Sequence, residues 1–570
     1  MGHRRVQGRA SGYLRGTMAS PVTITFLGGL GEIGRNCAAV EVDGDLVLID
    51  FGLMFPGPDM PGIDLVLPDF SWIVENADRL KAVVLTHGHE DHVGGLPYLL
   101  REVSVPLYGS RFTLGLARNR IEEAGLLGRT SFNPVADGES VTIGSMEIEF
   151  IPITHSVPCG NAIAFHTPQG IILHSGDFKI DTTPVDGRRS DLARIGHLSH
   201  AKGIRLLLAD STNADEPGYS ASESEVGRVL YDLFHEHQHR RLVVACFSSH
   251  IHRVQQIADA AIEQGRVVAS LGLSMKRNIR MARDMGLLDI PASKLVDVEE
   301  LDKYRPEQVC IISTGSQGEP MSALALMAAN QNRWLKIGRE DTVILSSHPI
   351  PGNEHNVSRV IDGLTRRGAE VVHSGIADVH ATGHAQAGEL LLYHSLVRPE
   401  WFTPVHGEYR QMVAHGRIAE DIGIDPEHVV ICEDGDQIVL DDQGVHRGGK
   451  VSANYVFVDG IVGDVGRGVL RDRRLLSEEG VVVVIVAVDT HARCVVTGPQ
   501  IITRGWVYAP EAEDLLDEGA EVVRAELEEA LKEGATDLET LQQRIRRSTG
   551  RFVNERTKRR PMIVPVVMEL

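Results

Sequence analysis

The stretch VVLTHGHEDHVGGL, residues 83–96, sets three histidines, a glutamate and an aspartate inside six positions directly after an apolar run. His87, His89, Asp91 and His92 stand where a buried strand (AVVL) gives way to a loop, the place where side chains can converge. Imidazole nitrogens and carboxylate oxygens without thiolates suit zinc or manganese, and four such donors exceed what one open catalytic ion takes from one loop. Two ions are the economical expectation. A lone histidine is ordinarily solvated, but that reading does not account for HxHxDH with every donor present.

A second motif competes for attention. FLGGLGEIGRN contains GxGxxG at Gly29, Gly31 and Gly34, with Asp50 at the distance of a ribose-binding acid. That fingerprint requires its third glycine to open a helix, whereas NCAAVEV, DGD and LVLID read as a strand hairpin. A glycine-rich turn beside a site is the expectation.

The elements that must position these residues follow a recognisable rhythm. VTITFL, NCAAVEV, LVLID, AVVLT, MEIEFIPI, AIAFHT, GIILHSGD and IRLLLAD read as short strands, with a helix after the histidines, which predicts two sheets with helices outside. From about residue 215 longer helical segments (SESEVGRVLYDLFHEHQH, HRVQQIADAAIEQ) alternate with LVVACFSS, VCIIST and DTVILSS, the pattern of an inserted α/β domain. EVVHSG and WFTPVHG are then read as a return to the first domain. Strands at 481–488 and 562–568 around two helices predict a small α+β domain at the end.

The bulk numbers exclude several classes. A chain of 570 residues with 42% apolar composition suits two to four packed domains. The longest apolar run, Val481 to Val488, falls well short of the roughly 18 residues of a membrane span. Residues 1–20 carry four arginines and no acid but lack a signal's apolar stretch, and read as a tail without structure. Six cysteines without a CxxC pair argue against disulfides or a cysteine zinc site and favour a reducing cytoplasm. A net charge of -21 argues against indiscriminate nucleic-acid coating while leaving room for a local basic groove. Residues 544–560 hold eight basic groups and one acid, beside the acidic stretch 511–533; pairing between the two is favoured over a basic face for RNA.

HGHEDH resembles the metal motif of the metallo-β-lactamase fold superfamily. By that resemblance Asp50 in LVLIDFG, His155 in IPITHSVP, Asp177 in LHSGDFK and His406 in TPVHGE complete the set. His87, His89 and His155 would hold one ion, Asp91, His92 and His406 the other; Asp177 would bridge and Asp50 would orient ligand histidines from behind. The gap between Asp177 and His406 accommodates an inserted domain, and Asp210 in LLLADSTN, His384 in HATGHA and His406 are similar to the motifs of the β-CASP branch, whose members cut nucleic acids. GGLGEIGRN, GLMFP, CFSSHIHRVQQ, STGSQGEP and HATGHA together resemble the bacterial ribonuclease J family from about residue 22 to the end. Where HxSGH is expected the chain has His380-Ala381-Thr382-Gly383-His384, and threonine keeps the hydroxyl.

The resemblance implies an α/β fold, an αββα metallo-β-lactamase sandwich, with an inserted α/β β-CASP domain and a small α+β C-terminal domain. The expected boundaries are 21–214 and 362–447 for the sandwich, 215–361 for the insertion, 448–466 for a linker and 467–570 for a C-terminal domain associated with dimerisation. It implies two Zn2+ per subunit, with Mn2+ an alternative, and phosphodiester hydrolysis in RNA maturation, including ribosomal RNA processing, and mRNA decay. Asp91 and Asp177 would fix the nucleophile; His384, needed by neither ion, would serve the scissile phosphate. A 5'-to-3' exonuclease with endonuclease capacity implies a terminal-phosphate pocket, drawn here from Ser248, Ser249, His380, Thr382, Gly383 and His384, with Phe55 stacking on a base or lying in a core. Single-stranded RNA is the expected partner, with a homodimer or dimer of dimers, RNA-degradation or ribosome-associated proteins, and no membrane. A DNA-processing nuclease of the same branch, a small-molecule hydrolase of the same fold, and a scaffold without catalysis are the competing readings.

Overall fold

The computed structural model describes residues 19–350, 353–460, 465–508 and 512–570. All but two residues of the basic tail over 1–20 therefore lie outside the described residues. Two compact units are present, one formed by 67–455 with the chain up to Met54, the other by 456–570 with 55–66.

The first unit is built on two facing sheets. The larger has eight strands, in the order Gly444–Lys450, Asp436–Asp441, Val22–Gly28, Cys37–Val42, Asp45–Ile49, Leu80–Val84, Leu107–Gly109 and Phe132–Pro134. The smaller has six, in the order Trp401–Val405, Ile204–Asp210, Gly170–His174, Asn161–Thr167, Met146–Pro152 and Ser140–Ile143. Alternate residues of each strand meet between the sheets: Ile24, Phe26, Val40, Val47, Phe150, Phe165, Leu206 and Leu208 are all fully or almost fully buried there. The opposite set, including Ala39, Leu46, Leu48 and Val83, packs under helices Leu96–Glu102 and Arg111–Glu123. Strands covered on both faces carry no polar alternation, which is why these segments read as plain apolar runs. Asp43 and Gly44, at φ 51° and 83°, make the two-residue turn whose twist matches the hairpin it closes.

This geometry places the chemistry. Asp50, the 87–92 loop, His155, Asp177, Asp210 and His406 each lie at or just beyond the C-terminal end of a strand of the sandwich, so residues 356 positions apart in sequence share one rim. His406 arrives through Trp401–Val405, which pairs in parallel with Ile204–Asp210 as the edge strand.

The insertion is a six-stranded all-parallel sheet with helices on both faces, in the order Leu295–Val296, Val267–Leu271, Val309–Ser313, Arg241–Ala245, Asp341–Leu345 and Glu370–Val372. The last of these strands corrects the sequence reading. EVVHSG does not return to the first domain but forms the edge of the inserted sheet, beside Asp341–Leu345. A short apolar strand says nothing about which sheet it joins, since that is decided by long-range pairing. Phe112, Leu116 and Val157 of the sandwich share one core with Val226, Leu230 and Ile257 of the insertion.

The second unit carries the sheet Cys494–Arg504, Val481–Asp489 and Met562–Glu569 against helices Glu513–Lys532 and Leu538–Thr557. Arg544 reaches Glu526 and Glu533 at 3.0 and 2.7 Å, and Arg556 pairs with Glu518, so the acidic and basic segments do meet. Among the described residues, no helix is long and apolar enough to cross a membrane.

Candidate metal centre

The loop after Leu80–Val84 delivers its donors because its backbone is clamped. Asn36 and Phe51 donate from their amides to the carbonyls of Asp91 and His92 at 2.9 and 2.8 Å. A Cβ on Gly52 would lie 1.6 Å from the Asp91 carbonyl oxygen, so only glycine lets these chains approach. Asp50 and His406 take left-handed backbone conformations, φ 58° and 50°, a strain that non-glycine residues tolerate chiefly where a site is over-determined by its surroundings.

Two groups of potential ligand atoms result: His87, His89, His155 and Asp177, and Asp91, His92, Asp177 and His406, the atoms of each lying within 4.8 Å of one another. Asp177 belongs to both. Its Oδ2 lies 3.1 Å from His92 Nε2, 3.5 Å from His87 Nε2, 3.6 Å from His406 Nε2 and 4.0 Å from His155 Nε2. His89 Nδ1 is 3.1 Å from both His87 Nε2 and His155 Nε2.

The far nitrogen of four of these rings is already engaged. His87 Nδ1 meets Thr86 Oγ1 at 3.0 Å, His92 Nδ1 meets Asp50 Oδ2 at 2.8 Å, and His155 Nδ1 meets the Gly383 carbonyl at 2.7 Å. His406 Nδ1 meets Thr212 Oγ1 at 2.6 Å and Asp210 Oδ1 at 3.3 Å. An imidazole that donates from one nitrogen presents the other as a lone pair, the arrangement found behind metal-bound histidines. A third grouping of Asp177, Asp210, His384 and His406 is of another kind: Asp210 Oδ2 accepts from His384 Nδ1 at 2.7 Å, so these atoms satisfy one another.

Electrostatics agree with a site shaped for cations. Burial would raise Asp177, yet His406, His92 and His87 hold it well below the usual carboxylate range. Burial would depress His92, yet Asp177, Asp91 and Asp50 hold it well above its ordinary value; His406 is likewise pushed up to about 10, chiefly by Asp177 against burial. Burial and the neighbouring rings drive His87 and His155 well below theirs. The donor set of imidazole nitrogen and carboxylate oxygen fits two divalent cations sharing Asp177.

The structure thus gathers His87, His89, Asp91, His92, His155, Asp177 and His406, with Asp50 and Asp210 behind them. His384 stacks on His406 with ring centroids 5.4 Å apart. Thr382 accepts from Asn213 Nδ2 at 2.8 Å, Gly383 abuts His155, and Ser248 and Ser249 follow the strand Arg241–Ala245 of the insertion. Phe55 lies in the segment of the second unit, 56% exposed. Sequence reasoning missed Thr86, Thr212, Asn36, whose Nδ2 lies 3.1 Å from both the Asp91 carbonyl and His92 Nε2, and Arg188. The first three lie inside quoted stretches. Arg188 stands outside them, yet binds the carbonyls of Ile153 and Gly160 and both oxygens of Asp137, fixing the loop that carries His155. The GxGxxG segment opens no helix. Its Arg35, 2% exposed, pairs with Asp434 at 2.6 Å and with Glu32, and lies over the Tyr455 ring. The glycines are turns of a structural clamp.

Comparison with known proteins agrees with this architecture. Residues 30–234 match the metallo-beta-lactamase superfamily, 239–364 the ribonuclease J beta-CASP domain, 368–431 a Zn-dependent metallo-hydrolase RNA specificity domain and 468–570 the ribonuclease J C-terminal domain. The chain is 40% identical to ribonuclease J2 of Bacillus subtilis over 550 residues, covering 96% of this chain and 99% of that one. It is 42% identical to ribonuclease J of Mycolicibacterium smegmatis, again over 550 residues, covering 96% and 97% of the two. A protein of unknown function from Enterococcus faecalis shares the fold, with a TM-score of 0.52, 15% identity and coverage of 74% of this chain and all of the other.

Proposed function

The chain belongs to the ribonuclease J family, a metallo-β-lactamase-fold ribonuclease, and from that premise we propose a two-zinc enzyme that degrades single-stranded RNA from 5'-monophosphate ends and also cuts internally. The observation that carries the two-ion reading is one carboxylate oxygen, Asp177 Oδ2, within 4.0 Å of Nε2 of His87, His92, His155 and His406. Bound there, a pair of zinc or manganese ions would activate water near neutral pH and offset charge developing on the phosphate.

The protein's own groups supply the rest. Asp91 and Asp177 accept a proton-bearing nucleophile's hydrogen bond and orient it. His384, its Nδ1 committed to Asp210, turns Nε2 free to donate to a phosphate oxygen or to the leaving 3'-oxygen. The hydroxyls of Ser248, Ser249 and Thr382, the His380 ring and the Gly383 backbone form the terminal-phosphate pocket; a monophosphate fits where a triphosphate is crowded. Discrimination against DNA comes from contacts to the 2'-hydroxyl. Self-association as a homodimer or dimer of dimers, a cytoplasmic location, and work in RNA maturation and mRNA decay complete this reading.

The test uses one 5'-labelled RNA and its DNA counterpart, each with a monophosphate or triphosphate end, given to wild type and to His87→Ala/Asp91→Ala. Labelled mononucleotide from monophosphorylated RNA with wild type alone supports the proposal. Equal activity in the double variant, or no cleavage with zinc or manganese supplied, sinks it.

A further inference from the structure

Arg253 is fully buried, an expensive place for a guanidinium unless every donor is used. It sits in the first turn of helix Ile251–Glu263, just after Ser248 and Ser249. Its Nη1 donates to the Val379 carbonyl at 2.7 Å, to the Ser346 carbonyl at 3.2 Å and to Ser346 Oγ. Nη2 donates to Glu223 Oε2 at 2.7 Å and Nε to Gln256 Oε1 at 3.2 Å. Ser346 Oγ in turn donates to the same Val379 carbonyl at 2.7 Å, and the Ser346 amide bonds Ala245 at the end of the strand that leads to Ser248.

One side chain therefore joins the two halves of the proposed terminal-phosphate pocket. On one side stands the helix that begins beyond Ser248 and Ser249; on the other is Val379, immediately before His380, Thr382 and Gly383. Glu223 fixes the guanidinium from a third direction, and its own amide donates to Asp181 Oδ2 of the sandwich at 3.0 Å. A planar fork reaches these acceptors at once, which a lysine ammonium on its flexible stem cannot do.

We propose that Arg253 is a positioning residue for recognition of the RNA 5' end: it holds the 379–383 loop in register with Ser248 and Ser249, and so sets the preference for a 5'-monophosphate more than the rate of cleavage itself. The inference rests on the pocket assigned above. The Gly383 carbonyl also meets His155 Nδ1 and His384 follows it, so a lost register reaches the cleavage step as well; His155 and His384 keep further partners in His89 and Asp210, whereas terminal-phosphate selection depends on the register directly.

The experiment compares wild type, Arg253→Lys, Ser346→Ala and Ser248→Ala/Ser249→Ala on one RNA bearing a 5'-monophosphate or a 5'-hydroxyl, and on a circular RNA that offers no end. Arg253→Lys should lower the monophosphate-to-hydroxyl ratio of kcat/KM at least about tenfold, since small misplacements of a binding group cost that much. Activity on circular RNA should fall clearly less than that, because His155 and His384 keep their contacts to His89 and Asp210. Ser346→Ala, which keeps the charge pair and protects the test against misfolding of the lysine variant, should shift the ratio in the same direction by less. An unchanged ratio in both variants, or an equal loss on circular and linear RNA, overturns the role of Arg253. If Ser248→Ala/Ser249→Ala retains the full preference, the pocket assignment itself fails and the inference with it.

Discussion

His384 Nδ1 donates to Asp210 Oδ2 at 2.7 Å, while Asp210 Oδ1 lies 3.3 Å from His406 Nδ1. A single carboxylate thus aligns a proposed metal ligand and the imidazole assigned to the phosphate. Asp210→Asn removes the charge and leaves an amide that cannot accept from both rings in the same way. Cleavage should fall by about a hundredfold or more, the usual worth of a positioned acid-base group. Single-turnover cleavage of a 5'-labelled RNA, with metal content measured on the same sample, checks this: a rate within a few fold of wild type refutes the shared alignment.

Metal stoichiometry offers a direct test of the bridging role of Asp177. Wild type should hold two divalent ions per chain after dialysis against zinc, and His155→Ala should retain fewer. Asp177→Ala should lose both, because its oxygen is common to the two groups of donors. Elemental analysis against protein concentration decides between these outcomes.

Gly52 makes a steric prediction. Its virtual Cβ lies 1.6 Å from the Asp91 carbonyl oxygen and 2.8 Å from the His92 amide, both backbone atoms. Gly52→Ala must displace the 87–92 loop, costing about 1–3 kcal/mol or more in stability and weakening metal retention. Denaturant titration and metal analysis report the two effects separately.

A pH effect is expected away from the metal centre. Burial alone would raise Glu149, but hydrogen bonds from His166 at 3.0 Å and Arg194 at 2.6 Å carry its carboxyl down to about 2. A carboxyl depressed by folding stabilises the protein fully above its unfolded value and loses that contribution as pH falls from about 4.5 toward 2. Glu149→Gln should therefore destabilise the protein at neutral pH, and the gap from wild type should narrow below pH 4.5. Chemical denaturation of both proteins across that window, with metal removed, measures the difference; a constant gap contradicts it.

Much of the centre was legible because its donors are dense in sequence. HGHEDH carries four of them in six residues, and Asp50, His155, Asp177 and His406 each end an apolar run, the mark of a strand delivering a side chain to a rim. What the sequence hid lies in three-dimensional pairing. The strand Glu370–Val372 has the same local character whether it edges one sheet or the other, so its true neighbour, Asp341–Leu345, could not be read from period or propensity. Arg188 and Arg253 were invisible for a related reason. A buried arginine is defined by the carbonyls it meets, and those come from segments tens of residues away.

The edge position of Trp401–Val405 has a consequence for synthesis. A ribosome must pass the whole insertion before this strand can add to Ile204–Asp210 and bring His406 to the rim. Until then the nascent chain carries an incomplete second set of donors beside Asp177. The second set of donors is thereby completed only when residue 406 of 570 has been made and the strand before it has found its neighbour.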